Sequence, residues 1–414
     1  MRALVFGTAN DGWMPPPGSP PLAHSLARSP VALQDLPDAR PLRPDWLVTR
    51  PLLTGICGSD SKQILLDFGE GGGDSAMFGF CSFPQVMGHE VVAEVVELGP
   101  AASGFEVGQR VVLNPWLSCV TRGISPLCPA CVEGDLSLCW SFTTGDISPG
   151  IHTGVSRDAT GGYAELMPAH SSMLLAVPDE VPTEQAVFAD PFSVALHSVV
   201  RHPPAPGAKV VVWGAGALGS STVAVLRALH PGVEVAVVAR FAHQAAFVRR
   251  LGADVVVDHE PAEQVLEELA SWSGGVLRRA PGGGGGLPMC HPGFVDVAYD
   301  TVGKAESFEV EARLLRTRGT IVKTGVHAPA RWEWSPVDFK ELRWVGSNAF
   351  GLEEVEGVRQ HAMQHYFDLV RSGRVDLTGM LTHVFGLTQW REALCSIADQ
   401  GTSGAIKVGI DPRR

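Results

Sequence analysis

The glycine-rich segment from Gly214 to Gly219, GAGALG, constrains the fold of this chain more than any other feature. It follows a short apolar run, Lys209–Trp213, and precedes a run with helical periodicity that ends at Leu229. In such a strand–turn–helix unit, the first two glycines allow the turn and the close approach of a pyrophosphate, and the third allows tight helix packing. The alternative is a plain strand–helix turn. We expect a dinucleotide site at Gly214, Gly216, Leu218 and Gly219.

Strands and helices alternate after this turn. Further strands are predicted at Val233–Ala239, Val255–Asp258, Phe294–Asp300 and Gly319–Thr324. Helical stretches separate them, and this alternation predicts a doubly wound parallel sheet. Residues 273–292 contain five consecutive glycines, which predict an insertion within that sheet domain.

The chain on either side of this region has a different pattern. Up to about residue 190, short Val-rich runs alternate with turns and predict β structure, with surface insertions at residues 10–21 and 67–83. After about residue 348 the pattern predicts one long amphipathic helix, Glu353–Ser372, then a short strand, a helix and a final strand. This tail is too short for a domain of its own, so we expect it to pack on the first part of the chain.

The residues that end the second predicted strand bear on the choice of cofactor. An acidic side chain about 20 residues beyond the glycine turn would bind the ribose 2′-hydroxyl of NAD. Here the strand ends in Ala239 and Arg240. An arginine suits a 2′-phosphate, which a carboxylate would repel, although a strand-end arginine can also be an ordinary surface residue. The sequence favours NADP(H) over NAD(H).

Four cysteines lie within a short segment that is rich in glycine and proline. They are Cys119, Cys128, Cys131 and Cys139. Their spacing is typical of a tetrahedral zinc site with four thiolate ligands, whereas four buried thiols would fit poorly with the polar residues between them. Because four ligands leave no open position, this metal would stabilise the fold and take no part in catalysis.

A second set of metal-ligating side chains is dispersed along the sequence. Cys57 lies in TGICGSD, His89 and Glu90 are adjacent, and Asp190 precedes a proline. Each is unremarkable alone, since a single cysteine or histidine is often only buried. Together they would supply thiolate, imidazole and carboxylate ligands and leave one position for a substrate.

The net charge of 32 − 44 = −12 limits the partners of the chain. An acidic chain lacks the basic surface of a nucleic-acid binder and does not favour an anionic membrane. The N-terminal residues resemble a strand and not a signal peptide, and no apolar run is long enough for a membrane helix. We therefore expect a cytoplasmic protein that acts on a small molecule.

Five motifs in collinear order carry a family resemblance. TGICGSD, GHE-x2-A-x5-G, the four cysteines, DPFSVALH and GAGALG resemble those of the zinc-dependent medium-chain alcohol dehydrogenases, and most of all the polyol and threonine dehydrogenase branch. The resemblance implies an α/β fold with a GroES-like β-barrel catalytic domain, residues 1–191 and 349–414, and a Rossmann domain, residues 192–348. It also implies an active site in the cleft between the domains and a homodimer or homotetramer.

The resemblance further implies a reaction and a set of site residues. The enzyme would interconvert a small alcohol or polyol and its carbonyl by hydride transfer with a nicotinamide cofactor, and would hold two zinc ions per subunit. Cys57 and His89 would ligate the catalytic zinc, and Glu90 and Asp190 would complete its shell or exchange within it. Other implied roles are proton transfer from the substrate by Ser59 and backbone contacts of Gly325 and Val326 with the nicotinamide carboxamide.

Several residues depart from the family pattern. Lys62 replaces the histidine that often relays the proton, and it either relays the proton itself or is simply solvated. Asp190 is one carbon shorter than the usual glutamate. Eight residues separate Cys119 from the next cysteine, Cys128, where the family usually has two.

These departures keep two other functions open. One is a non-catalytic protein that binds or senses NADP(H), with a degraded metal site. The other is a lyase or reductase on the same scaffold, in which zinc polarises a carbonyl.

Overall fold

The computed structural model describes residues 1–67, 76–282, 286–327 and 333–414. The chain forms two compact units. Unit 1 comprises Met1–Asp190, Phe350–Ser372 and Thr378–Arg414, and unit 2 comprises Pro191–Ala349 and Gly373–Leu377. The glycines at positions 71–73 and 283–285, on which two of the predicted insertions depend, lie outside the described residues.

The N-terminal part of unit 1 is mostly β structure. Its strands are β1 (Arg2–Phe6), β2 (Val31–Asp35), β3 (Trp46–Gly55), β4 (Gln85–Val86), β5 (Glu90–Leu98), β6 (Arg110–Leu113), β7 (Met167–His170) and β8 (Leu174–Ala176). Its helices are α1 (Gly58–Ile64), α2 (Pro129–Glu133), α3 (Thr183–Ala186) and the start of α4 (Ala189–Arg201). Short 3₁₀ segments lie at Ala23–Ala27, Ala76–Phe80, Leu136–Leu138 and Ser171–Met173.

Unit 2 has the predicted strand–helix alternation. In chain order it contains β9 (Lys209–Trp213), α5 (Ala217–Leu229), β10 (Glu234–Ala239), α6 (Ala242–Arg250), β11 (Val255–Asp258), α7 (Ala262–Ser273), β12 (Leu277–Arg278), β13 (Met289–Cys290), β14 (Val295–Asp300), α8 (Ala305–Leu314), β15 (Leu315–Lys323), α9 (Ser335–Phe339) and β16 (Arg343–Gly346).

The main sheet of unit 2 is parallel throughout, in the order β11-β10-β9-β14-β15-β16. Its central strands are runs of buried valine and alanine, as expected for a sheet covered on both faces. Strand order reverses between β9 and β14. In sheets of this type a ligand binds beyond the carboxyl ends of the strands at such a point, which is where the glycine turn lies. The predicted insertion at residues 273–292 contains the antiparallel pair β12 and β13.

The C-terminal part of unit 1 completes its sheets. It contains β17 (Leu352–Val355), β18 (Val358–His361), α10 (Ala362–Arg371), β19 (Leu381–Gly386), a 3₁₀ segment (Leu387–Gln389), α11 (Trp390–Ala398), α12 (Gln400–Ser403) and β20 (Lys407–Asp411). The larger sheet of unit 1 has the order β19-β20-β3-β5-β6-β8, and β7 also pairs with β3. As predicted, the tail therefore packs on the first part of the chain. Among the described residues, no helix has both the length and the apolar character needed to cross a membrane.

The prediction of one long helix over Glu353–Ser372 is wrong in its first half. Residues 352–361 form the antiparallel hairpin β17–β18, and the helix begins only at Ala362. At the turn, Glu356 and Gly357 have φ of 53° and 82°. Positive φ at both central residues gives a two-residue turn whose twist matches a β-hairpin, and such a turn cannot continue a helix.

Candidate functional site

The antiparallel pairing of β3 with β5 creates a cluster of metal-ligating atoms in unit 1. Gly55, at the end of β3, pairs with Glu90, at the start of β5. Cys57 follows β3 and His89 immediately precedes β5, so the pairing brings both close to Glu90. One ligand atom from each of Cys57, His89 and Glu90 lies within 4.8 Å of the others. The structure thus brings together three of the four residues predicted to hold a catalytic metal.

The chemistry of this cluster fits zinc. A thiolate, an imidazole and a carboxylate are ligand types that zinc accepts, and three protein ligands leave a fourth position for substrate. His89 and Glu90 are buried, at 7% and 2% exposure. Buried polar atoms normally have partners, and here they are charged groups: Asp60 faces His89 Nδ1, and Lys407 pairs with Glu90 Oε2. Three ligand types brought together in one buried place therefore fit a zinc ion.

The charge of Glu90 is balanced by a lysine from the other end of the chain. Lys407, the first residue of β20, forms a buried ion pair with Glu90 and donates a hydrogen bond to the Ile56 carbonyl at 3.0 Å. Gly55 makes room for this pair, because a Cβ there would overlap both Glu90 Oε2 and Lys407 Cε. The lysine thus holds the Glu90 carboxylate beside Cys57 and His89.

A buried aspartate lies behind His89. Asp60 Oδ1 is 3.4 Å from His89 Nδ1, and Asp60 Oδ2 accepts a hydrogen bond from the Tyr163 hydroxyl at 2.8 Å. Burial disfavours the imidazolium, but the charges of Asp60 and Cys57 outweigh it and raise the pKa of His89 well above its ordinary value. With Nδ1 facing a carboxylate, Nε2 remains for a metal, as in carboxylate–histidine–zinc sites.

Asp190 lies outside the close cluster but interacts with it electrostatically. It is buried, and its Oδ2 has no hydrogen-bond partner among the described residues. Burial, with a further contribution from the charge of Glu90, raises the pKa of Asp190 to about 7, although His89 opposes this shift. The structure therefore leaves Asp190 as an additional carboxylate near the cluster, consistent with the shorter side chain noted in the sequence.

Two further rings extend the cluster. The His152 ring lies 4.6 Å from the His89 ring, between ring centroids, and the Trp116 ring lies 5.7 Å from that of His152. Both side chains are buried. Neither residue was a sequence-predicted site residue.

The two predicted proton-transfer residues lie on α1, which begins directly after Cys57. Ser59 is in its first turn and Lys62 in its last turn, and both are half-buried. Asp60 lies between them on the same helix and faces His89. Ser59 and Lys62 therefore lie on a short helix that begins next to Cys57, a candidate metal ligand.

The four predicted cysteines converge in a separate lobe of unit 1. Their sulfur atoms lie within 4.8 Å of one another. The Sγ atoms of Cys119 and Cys139 are 3.6 Å apart, and those of Cys128 and Cys139 are 4.0 Å apart. Four sulfurs in a tetrahedron about zinc, at roughly 2.3 Å each, would be about 3.8 Å apart. These separations fit a zinc thiolate cluster and exclude a disulfide.

Backbone amides support the cluster. Ser141 N–H donates to the Cys139 sulfur at 3.3 Å, and Trp140 N–H donates to the Cys128 sulfur at 3.5 Å. Contacts with Cys131, together with the Ser141 amide, lower the pKa of Cys139 to about 5 although burial opposes this. Such donors favour thiolates, which are the form that binds a metal.

The glycine turn of unit 2 has the predicted geometry. Gly214 has a φ of 99°, and a Cβ on Gly219 would lie 1.9 Å from the Gly214 carbonyl oxygen, so close packing of α5 requires glycine there. A Cβ on Gly216, by contrast, would have no atom within 4 Å. The space beside Gly216 is therefore open for a ligand, next to Leu218 in the first turn of α5.

The other predicted cofactor residues lie at strand ends of unit 2. Ala239 ends β10, and the exposed Arg240 follows it with its guanidinium carbon 5.1 Å from the centre of the Phe241 ring. Gly325 lies just beyond β15 and packs so closely on the Val302 backbone that a Cβ would come within 2.4 Å of it. Val326 is 59% exposed.

Comparisons with known proteins agree with this architecture. The alcohol dehydrogenase GroES-like domain model matches residues 43–179, and the zinc-binding dehydrogenase model matches residues 217–365. The (R,R)-butanediol dehydrogenase of Saccharomyces cerevisiae is 28% identical over 317 residues, which cover 73% of this chain and 76% of that protein. The sorbitol dehydrogenase of Bacillus subtilis is 23% identical over 396 residues, covering 94% and 96%.

A solved structure shows the same fold. The 2R,3R-butanediol dehydrogenase from Bacillus subtilis superposes with a TM-score of 0.70 at 19% identity, covering 100% of both chains. This likeness extends over both units.

The fold and these matches define a zinc-binding oxidoreductase with a nicotinamide cofactor. The chain belongs to the zinc-dependent medium-chain alcohol dehydrogenase family. It interconverts an alcohol or polyol and its carbonyl. These matches confirm the predicted fold class, family and reaction. The roles of individual residues stay predictions.

Sequence reasoning missed the residues that surround the metal ligands. Asp60 lies within TGICGSD, so the motif itself could have pointed to it. Tyr163, His152 and Lys407 carry no local signal, because only the folded chain brings them to His89 and Glu90.

Proposed function

We propose that Cys57, His89 and Glu90 hold the zinc ion at which this enzyme binds its alcohol, with Asp190 as a further carboxylate near them. The observation that carries the assignment is the convergence of three different ligand types within 4.8 Å in a buried site. When bound, zinc supplies Lewis acidity, which lowers the pKa of an alcohol hydroxyl. The nicotinamide cofactor accepts or returns the hydride.

The surrounding residues of the chain orient these ligands. Asp60 faces His89 Nδ1 and fixes the imidazole with Nε2 towards the metal. Lys407 holds Glu90 in a buried ion pair and so limits how far its carboxylate can move towards the metal. Ser59 receives the hydroxyl proton and passes it towards solvent. Lys62, on the same helix, either continues this relay or is solvated.

Cofactor binding is proposed for unit 2. The turn at Gly214, Gly216, Leu218 and Gly219 would hold the pyrophosphate, because the space beside Gly216 is open and α5 begins there. Ala239 and Arg240 would accept the adenosine ribose and its 2′-phosphate, which gives a preference for NADP(H). The backbone of Gly325 and Val326 would face the nicotinamide carboxamide.

The activity is tested by following cofactor absorbance at 340 nm with a panel of alcohols, polyols and their carbonyls, each with both cofactors. We expect reversible oxidation of at least one polyol or secondary alcohol. The non-catalytic alternative predicts cofactor binding without turnover, and the lyase alternative predicts product without a net absorbance change. Either result would contradict the proposal.

The cofactor preference is tested at Arg240. In Arg240→Asp, the ratio of kcat/KM for NADP to that for NAD should fall about ten-fold or more, because the variant loses a charge-assisted contact and adds repulsion. Arg249→Asp changes the charge of the same region at an exposed position of α6 and should leave the ratio unaltered. An unchanged ratio in Arg240→Asp would show that Arg240 does not bind the 2′-phosphate.

The remaining features of the proposal concern the whole chain. The cysteine cluster Cys119, Cys128, Cys131 and Cys139 would hold a second, structural zinc, giving two per chain. The catalytic domain would be residues 1–191 and 349–414, and the cofactor domain residues 192–348. We place the enzyme in the cytoplasm, where its eight cysteines stay out of disulfides, as a homodimer or homotetramer.

A further inference from the structure

Trp116 and His152 are held side by side by the backbone. They face each other across an isolated antiparallel bridge, flanked by hydrogen bonds from Thr153 N–H to the Pro115 carbonyl at 2.8 Å and from Leu117 N–H to the Ile151 carbonyl at 3.1 Å. Flanking bonds of this kind mark a non-hydrogen-bonded pair, in which the two side chains project to one face and lie closest together. The rings meet edge to face at 89°.

The polar atoms of the two rings are complementary. His152 Nδ1 lies 2.7 Å from the Thr153 carbonyl oxygen, so Nδ1 carries the hydrogen and donates it. Nε2 of the neutral ring is then a hydrogen-bond acceptor. Trp116 Nε1–H is a donor, and it is buried without a partner among the described residues. One donor and one acceptor therefore lie on neighbouring rings.

These two rings adjoin the candidate metal site. The His152 ring is in contact with the His89 ring, at 4.6 Å between centroids. An unpaired N–H in a buried position has a free-energy cost that a bound polar group removes. A substrate group that lies next to His89 would therefore lie beside these two rings.

We propose that Trp116 and His152 form a subsite for a second hydroxyl group of the substrate, which makes the enzyme selective for diols and polyols over simple alcohols. This rests on the proposed function, in which the reacting hydroxyl binds at Cys57, His89 and Glu90. A hydroxyl can donate to His152 Nε2 and accept from Trp116 Nε1–H at the same time.

Other substituents match the pair less well. A methyl group leaves both polar atoms unsatisfied, and a site built to bind a hydroxyl discriminates strongly against an analogue that lacks it. A carboxylate has no hydrogen to donate to His152 Nε2, and an ammonium group cannot accept from Trp116. The similar proteins named for butanediol and sorbitol act on molecules with more than one hydroxyl, in agreement with this subsite.

The test compares butane-2,3-diol with butan-2-ol, which differ by one hydroxyl group. His152→Phe and Trp116→Phe each keep an aromatic ring at the position, but lose His152 Nε2 or the Trp116 Nε1–H group. We expect the ratio of kcat/KM for the diol to that for the mono-alcohol to fall about ten-fold in each variant, the effect of one hydrogen bond. Phe350→Leu is the matched control, because Phe350 packs edge to face on Trp116 at 5.9 Å and has no polar side-chain atom. It should leave the ratio as in the wild type.

Binding of butane-2,3-diol to the zinc-loaded protein, measured by calorimetry, gives a second readout. Its Kd should rise in both polar-atom variants while their zinc content stays at the wild-type value. A diol ratio that does not fall in His152→Phe, or falls equally in Phe350→Leu, would overturn the subsite and leave the proposed function standing. Absence of all turnover in the wild type would overturn the proposed function, and the change in Kd alone would then decide on the subsite.

Discussion

Arg122 illustrates how one side chain organises the cysteine lobe. Its guanidinium is fully buried and donates hydrogen bonds to backbone carbonyls across the loop that carries the four cysteines. The acceptors are the carbonyl oxygens of Leu117, Thr144, Ile147, Ser148 and Gly150. Burial lowers the pKa of Arg122 to about 10, so it remains a cation at neutral pH, near the negative charge of a thiolate cluster. The arginine thus satisfies five backbone acceptors and balances charge.

Replacement of this arginine should therefore destabilise unit 1. In Arg122→Met the carbonyls lose their donors in a buried position, which costs at least about 3 kcal/mol. We expect the unfolding midpoint to fall by roughly 6 °C or more. The measurement is thermal unfolding followed together with zinc release to a chromogenic chelator, which should be faster.

Arg122→Lys should be intermediate, because an ammonium has three donors where the guanidinium uses five bonds. The control is Arg157→Met, a change at an exposed arginine of the same lobe. A midpoint equal to that of the wild type in Arg122→Met would show that the loop does not depend on this side chain.

At the level of elements, the turn between β9 and α5 separates structural from ligand-binding glycines. A Cβ at Gly219 would overlap the Gly214 carbonyl, whereas a Cβ at Gly216 would meet only open space. Gly216→Ala should therefore fold with a wild-type unfolding midpoint but bind NADP(H) about ten-fold or more weakly, since the methyl group occupies the approach of the pyrophosphate.

Gly219→Ala should instead lower the unfolding midpoint, because α5 must move away from β9. Fluorescence titration with the cofactor measures the affinity of both variants, and thermal unfolding measures their stability. Equal cofactor affinity of Gly216→Ala and the wild type would contradict the assignment of this turn to the pyrophosphate.

The hairpin β17–β18 and helix α10 meet at His361, and this junction predicts a pH dependence of stability. His361 Nδ1 accepts a hydrogen bond from Met363 N–H at 3.3 Å, and Nε2 is buried without a partner among the described residues. Burial lowers the pKa of His361 to about 4, because the imidazolium would be desolvated and unpaired. The unfolded chain, with an ordinary histidine pKa near 6.5, binds the proton earlier as pH falls.

The neutral His361 therefore makes its full contribution to the free energy of unfolding above about pH 6.5. This contribution, at most about 3 kcal/mol, is lost as pH falls towards 4. His361→Asn keeps an N-cap acceptor for α10 but does not titrate. The difference in unfolding free energy between wild type and variant should thus change with pH only in this window, as measured by urea unfolding from pH 4 to 8. A difference that is constant with pH would contradict the buried neutral state of His361.

Across the whole molecule, the sequence predicted those features whose signals lie in contiguous residues. Two such features are the glycine turn Gly214–Gly219 after a buried strand and the four cysteines within one loop. Their local geometry does not depend on contacts with distant parts of the chain. The hairpin at residues 352–361 was missed because the spacing of Val355 and Val358 suits a helix as well as a hairpin. The Glu356-Gly357 turn decides between them.

The surroundings of the metal ligands could not be predicted in this way. Lys407 reaches Glu90 and the carbonyl of Ile56, which is 351 positions away in the chain. No local pattern marks such a lysine, because its role depends on the pairing of β20 with β3. His152 and Trp116 are likewise joined by an isolated bridge and not by a sequence motif.

The central claim is that two independent metal sites are built in unit 1, one of them catalytic. The most direct measurement is the zinc content per chain of purified wild type and of Cys57→Ala, together with turnover of the best alcohol. We expect two zinc ions in the wild type, one in Cys57→Ala with turnover lost, and wild-type values in Cys81→Ala, a cysteine of neither cluster. Two zinc ions or retained turnover in Cys57→Ala would contradict the account.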